Sequence, residues 1–252
     1  FVNYLNQALN LASSSIALGN IGEPLLDQIE HDKKYSVIEV SSFQLEKMKK
    51  NDFDFSFITN IQRDHIDFHG DFEAYKKAKL KICSARGQTI FCQNDEYKEL
   101  ASNFVKKLES YVVEKEIKFI DLPFRLQKVS KKFINDSKST NSSSLFYALN
   151  KLDFKGNLIV CGNPDKEGYE NLEISGPRKV YIYGKHKAKL SKLIRHPNVS
   201  IHENLREIFA ILKNEANKEL VLFSPGNPSG DDYENYNERG ECFNRLKEEY
   251  FD

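Results

Sequence analysis

VIEVSSFQLE (residues 37–46), ITNIQRDHIDFHG (58–70) and DFEAYKKAKLKI (71–82) follow one another with a single gap of eleven residues. Val37, Ile38 and Val40 are apolar β-formers on both sides of the chain's zigzag, which predicts a strand covered on both faces, as in a parallel sheet. Ser41 and Ser42 then cap a helix, FQLEKMKK. DFSFITNI (54–61) predicts a second strand and QRDHIDFHGDF (62–72) a polar loop at its carboxyl end. FEAYKKAKLKIC (72–83) predicts a helix with Ala74, Ala78 and Ile82 along one side. Strands alternating with helices imply an α/β fold with a mainly parallel sheet. Ligands of such sheets sit in the crevice beyond the strands' carboxyl ends, where Glu39, Asp64 and His65 fall. Lys76, Lys77, Lys79 and Lys81 crowd the helix that follows. Each feature has a plainer reading: Glu39 pointing past the sheet into water, a DH pair arising by chance, a solvated face of lysines. A carboxylate left unpaired inside the sheet costs several kcal/mol, so a buried Glu39 needs a metal or strong donors.

Working outward, Leu5, Ala8, Leu9 and Ala12 have helical spacing, and SIALG (15–19) reads as a strand. Gly19-Asn20-Ile21-Gly22 follows, with Pro24 at the start of a helix. GNIG reads either as a strand-to-helix turn or as a loop facing a ligand. A strand is expected at TIFC (89–92). Residues 97–120 are helical but densely charged, with a poor apolar stripe, and a boundary near Asp121-Leu122-Pro123 divides the chain into domains 1–121 and 122–252. Beyond it strands (KFIND, NLIVCGN, RKVYIYG, VSIHE, ELVLFSP) alternate with helices (141–152, 186–194, 204–214 and about 233–250), a second α/β domain. Three of these strands end in polar clusters: residues 135–141, 162–166 and 224–229. Singly, each reads as a capped loop. Together, at one sheet edge, they suggest a pocket in which Lys138 and Lys166 supply charge for an anion.

Composition narrows the function classes. Thirty-seven Lys and Arg balance 37 Asp and Glu, so no global field favours nucleic acid or an anionic membrane. The longest apolar runs are far too short to span a bilayer. Four scattered cysteines without a CxxC pair argue for reduced thiols rather than zinc or disulfides.

The motifs GNIGEPLL, EVSSFQLE, TNIQRDHIDFHG, YKKAKLKI, LPFRLQ, INDSKSTNSSS, GNPDK and SPGNPS…NYNERGECF run in order over nearly the whole chain. In this they resemble the Mur ligases. The resemblance implies a central ATP-binding α/β domain and a Rossmann-like C-terminal α/β domain. It implies ATP-dependent addition of D-glutamate to UDP-N-acetylmuramoyl-L-alanine, in the cytoplasm, by a monomer. The substrate carboxylate is phosphorylated, and the amine attacks the acyl phosphate. Site residues follow from motif positions. Glu39, His65 and Lys79 correspond to magnesium-site residues, with Lys79 carbamylated and so converted from a cation into an oxygen donor. Lys79, His65 and Lys138 carry the catalytic roles. Arg125, Asp136 and Lys138 reach ATP. Asn20, Ser41, Gln44 and His65 contact the UDP-muramoyl substrate, and Thr140, Lys166, Ser229 and Tyr236 bind D-glutamate.

The chain departs from the family pattern in five ways. Phe124 stands where relatives carry a histidine. SPGNPSG and GNPDK differ from the usual loops and bear on amino-acid specificity. No Gly-rich phosphate loop with its lysine lies within these residues. The spacing between Lys79 and Arg125 is too short for the family's nucleotide-base segment, so a seam is expected within residues 97–120 and an intact mass above 29.2 kDa. Rival readings are a ligase for another amino acid, a folate-type polyglutamate ligase, and a non-catalytic remnant without a phosphate loop.

Overall fold

The computed structural model describes residues 1–20, 24–28, 30–83, 87–92, 96–110, 117–214 and 219–252. The chain divides into two compact units: Phe1–Gln62 with Glu73–Leu122, and Arg63–Phe72 with Pro123–Asp252.

In the first unit, α1 (Val2–Ala12) buries Leu5, Ala8 and Leu9, the i, i+3, i+4 positions of one face. Strands β1 (Ser15–Gly19) and β2 (Tyr35–Glu39) pair in parallel, from Ser15 opposite Tyr35 to Gly19 opposite Glu39, with a 3₁₀ turn at Leu25–Gln28 between them. Helix α2 (Ser42–Lys47) and strand β3 (Phe55–Ile58) follow. The polar loop expected at 62–72 contains a one-turn helix, α3 (Ile66–His69), and residues 63–72 group with the second unit. Helix α4 (Phe72–Leu80) leads to β4 (Gln88–Phe91), parallel to β3, and then α5 (Tyr97–Glu109).

Several local expectations are corrected here. Among the described residues β1–β2 and β3–β4 are separate two-stranded pairs rather than one sheet. Only Val37 of β2 is fully buried, so the strand is not sealed on both faces. Helix α4 buries Tyr75 and Ala78 while Ala74 is exposed, and it ends before Ile82. The charged stretch after residue 97 holds a true amphipathic helix. Ala101, Phe104, Val105 and Leu108 lie at i, i+3, i+4 and i+7 and join the core of Leu5, Ala8, Leu9 and Val37. The expected seam overlaps residues 111–116, which lie outside the described residues, as do residues 21 and 22 of GNIG and residues 93–95, where a turn is expected after TIFC.

The second unit is built on a six-stranded sheet. Its strands are β5 (Gln127–Lys128), β6 (Phe133–Asn135), β7 (Asn157–Val160), β9 (Lys179–Tyr183), β11 (Val199–His202) and β12 (Val221–Phe223); β8 (Leu172–Glu173) and β10 (Ile194–Arg195) form a separate short pair. The order is β11-β9-β7-β12-β6-β5, all parallel except the edge strand β5. Strands β7 and β12 are buried along their whole length, which explains their unbroken apolar runs. Alternate side chains go to opposite faces. Ile134, Leu158, Val160, Val180, Ile182 and Leu222 pack with Leu145, Ala148 and Leu149 of α6 (Ser142–Lys151) and Leu190 of α7 (Lys187–Leu193). Phe133, Ile159, Tyr181, Val221 and Phe223 pack with Ile208, Phe209 and Leu212 of α8 (Leu205–Asn214) and with Phe243 and Leu246 of α9 (Tyr236–Phe251). From β7 the chain winds outward through β9 and β11, then returns as β12 on β7's other side. That reversal lies between β7 and β12, where doubly wound sheets bind ligands.

Candidate active site

The three polar clusters leave β6, β7 and β12, which are adjacent in the sheet, so they form one continuous edge. Asp136 sits at its centre, almost fully buried. It accepts hydrogen bonds from the backbone N–H of Leu126 (3.0 Å) and the hydroxyl of Ser224 (2.9 Å), and its own N–H donates to Phe223 (2.7 Å). Burial raises its pKa to about 6, against the pull of the Arg125 charge. Lys138 lies over the ring of Tyr236, its Nζ 4.0 Å from the centroid and 2.8 Å from the hydroxyl that accepts its hydrogen bond. Lys166, from the loop after β7, is ion-paired with Asp64 at 2.9 Å instead of facing an empty anion site, and Asn141 donates to the other oxygen of Asp64 at 3.1 Å. Ser229 is buried and Thr140 half-buried on the same edge. Beside Thr140, the hydroxyl of Ser139 is buried without a partner.

Arg239 was not anticipated as a site residue, and Asn141 was read only as a member of the 135–141 cluster, with no role of its own. Arg239 is wholly buried on α9 and donates to Ser137 Oγ (3.1 Å), to the carbonyl of Ser137 (2.7 Å) and to that of Asn227 (2.9 Å), so it ties the loops after β6 and β12 together. Its spacing to Phe243 and Leu246, i+4 and i+7, places it on the helix's buried stripe, and a helical projection would have flagged it. The adjoining Gly240 is required because a Cβ there would lie 2.4 Å from the ring of Phe124, the residue at the family's histidine position.

In the first unit, Gly19 and Glu39 are register partners at the carboxyl ends of β1 and β2. Gly19 has φ +98°, and a Cβ on it would lie 2.3 Å from the Glu39 carbonyl, so only glycine fits. Asn20 Nδ2 donates to Glu39 Oε1 at 3.0 Å, and Glu39 remains half-exposed. Ser41 and Gln44 form a capping box on α2: Gln44 N–H donates to Ser41 Oγ (3.3 Å), and Ser41 N–H donates to Gln44 Oε1 (2.8 Å). On α4, Lys79 is half-buried, 5.8 Å from the Tyr75 ring centroid, whereas Lys76, Lys77 and Lys81 are exposed.

The expected metal trio is therefore divided. Glu39 and Lys79 belong to the first unit, and His65, in a left-handed conformation (φ 52°), to the segment grouped with the second. Among the described residues no group of three His, Cys, Asp or Glu side chains forms a ready metal site. Glu39 offers the hard oxygen that magnesium prefers, while an unmodified Lys79 ammonium offers only a repelling charge. Carbamylation is what would make Lys79 a fitting donor.

The Mur ligase middle domain family matches residues 20–162. The chain belongs to the Mur ligase family. It is 30% identical over 290 residues to the UDP-N-acetylmuramoylalanine--D-glutamate ligase of Francisella tularensis subsp. novicida (strain U112), covering 94% of this chain and 69% of that protein. The same figures hold for the ligase of that name from F. tularensis subsp. tularensis (strain WY96-3418). Since 94% of 252 residues is about 237, about 53 of the 290 aligned positions have no counterpart in this chain. The MurF ligase of Thermotoga maritima, solved in complex with ADP, shares the fold, with a TM-score of 0.68 at 14% identity over 98% of this chain and 77% of that one. By family the chain is an ATP-dependent amide ligase, as its motifs imply. No described helix is long and apolar enough to cross a membrane.

Proposed function

We propose that this Mur ligase joins D-glutamate to UDP-N-acetylmuramoyl-L-alanine, using ATP, in the cytoplasm and as a monomer. The observation that carries this is the sheet edge formed by the loops after β6, β7 and β12, where Lys166 and Asn141 already grip a carboxylate. The D-glutamate ligase relatives at 30% identity support the substrate pair. ATP's terminal phosphoryl group passes to an oxygen of the alanyl carboxylate, leaving ADP. The nitrogen of D-glutamate attacks the acyl carbon, the bond to the phosphorylated oxygen breaks, phosphate leaves, and the nitrogen sheds a proton.

Such chemistry is mostly positioning and charge neutralisation. Arg125 and Lys138 would face the phosphates, with Asp136 as a further ATP contact. Asn20, Ser41, Gln44 and His65 would hold the UDP-muramoyl substrate, and Thr140, Lys166, Ser229 and Tyr236 the amino acid. Magnesium, which neutralises developing phosphate charge, would be held by Glu39, His65 and carbamylated Lys79. Lys79 is the least exposed of its lysine cluster, which supports that choice. The first unit would then be the central ATPase domain and the second the amino-acid domain.

The test is phosphate release by the full-length enzyme with ATP, UDP-N-acetylmuramoyl-L-alanine and a panel of D- and L-amino acids. Release with D-glutamate alone is expected. Equal release with several amino acids, or with none, defeats the proposal. In the same assay Lys79→Ala is expected to be inactive, and retained activity would remove the carbamate.

A further inference from the structure

Asp64 is held by residues of two separate loops. Lys166 Nζ lies 2.9 Å from its Oδ1, and Asn141 Nδ2 donates to its Oδ2 at 3.1 Å. The Asp64 and Lys166 side chains retain only 14% and 16% of their exposure. Oδ1 also accepts the N–H of His65 (2.9 Å), and His65 Nε2 lies 3.9 Å from Oδ2. Asn141 is fixed independently, because its Oδ1 caps α6 by accepting the Ser144 N–H at 2.8 Å. The neighbouring Arg63 Nε donates to the Glu167 carbonyl at 3.2 Å, so two consecutive residues fasten the 63–72 segment to the loop after β7. The receptor thus belongs to the sheet edge, whereas its occupant comes from sequence more than seventy residues away.

We infer that Asp64, held by Lys166 and Asn141, is an internal stand-in for the carboxylate of the incoming amino acid, which that carboxylate must displace. The identity of the guest rests on the proposed reaction; the receptor and its occupant do not. A largely buried ammonium left without a partner is costly, and Asp64 spares Lys166 that state between turnovers. Two carboxylates cannot share the position, since like charges at contact distance repel. The substrate's apparent affinity is its intrinsic affinity reduced by the fraction of time the receptor stands open. Exchange of one carboxylate for another also releases the segment that carries His65.

Calorimetric binding of D-glutamate and of glutarate, a plain dicarboxylate, to the full-length protein tests this. Asp64→Asn keeps the side chain's shape and its acceptor for the His65 N–H but removes the competing charge. Its Kd for both probes is expected to fall about tenfold, the factor that corresponds to a receptor occupied nine-tenths of the time. Asp64→Ala should behave alike, and Lys166→Met should abolish binding in either background. Unchanged or weaker binding by both Asp64 variants would mean that Asp64 merely orients Lys166, and overturns the inference, as does an absence of binding by every form. If glutarate binds more tightly to the variants while D-glutamate supports no phosphate release, the reaction assignment fails and the receptor stands.

Discussion

Asp136 holds a carboxyl group where few solvent molecules reach, and its pKa rises from 3.8 to about 6. The folded chain therefore keeps this proton more tightly than the unfolded chain. The stabilising share of the neutral form is complete below about pH 3.8 and is lost as pH rises through about 6. A displacement of about two pH units corresponds to a few kcal/mol. Asp136→Asn can still accept from Leu126 N–H and can donate to Ser224 Oγ, so it keeps both contacts without the buried charge. The variant is expected to melt above the parent at pH 7.5, with the difference shrinking towards zero near pH 4, while its KM for ATP rises. Thermal melts across that range check it, and a difference independent of pH would contradict the assigned cause. Stability would then be traded for function, since the buried charge is kept where the ligand is proposed to bind.

Ser41 and Gln44 show why an element can be legible and its function not. The capping box on α2 follows directly from Ser41 followed three residues later by Gln44, and it accounts for both side chains without any ligand. Glycine is nearly as good a cap as serine, whereas alanine costs about 1 kcal/mol. Ser41→Gly is therefore expected to leave the melting temperature nearly unchanged and to raise the KM for UDP-N-acetylmuramoyl-L-alanine at least fivefold. An unchanged KM would reduce Ser41 to a cap. The same contrast runs through the chain. Strands such as β7 and β12 announced themselves by unbroken apolar runs, because both faces of a parallel sheet are covered. Helix α5 was legible as a helix but its core face was not, since two of its core positions are the small Ala101 and a Val105 set among lysines. The Asp64–Lys166 pair was invisible too: nothing local distinguishes a loop aspartate that folds onto a distant strand end. Arg239 was hidden by its charge, although its helical phase with Phe243 and Leu246 marks it as buried.

The two units differ in how much core each describes. The second has a six-stranded sheet with an apolar cluster on each face, including the stacked rings of Phe223 and Phe243, 4.7 Å apart. Among the described residues the first has two separate strand pairs and a smaller cluster in which Ala8 and Ala101 take up core positions. Burial supplies most of the free energy that opposes chain entropy, so the first unit should open at lower temperature than the second. Units with their own cores unfold as separate cooperative steps unless their interface is large. Calorimetry of the full-length protein is expected to resolve distinct transitions. Phe223→Ala, which empties a ring-sized space beside Phe243, removes about 3–5 kcal/mol and should lower the upper transition alone. Val105→Ala, beside Leu5 and Val37, removes about 2 kcal/mol and should lower only the earlier one. A single transition moved by both substitutions would mean that the chain unfolds as one cooperative body.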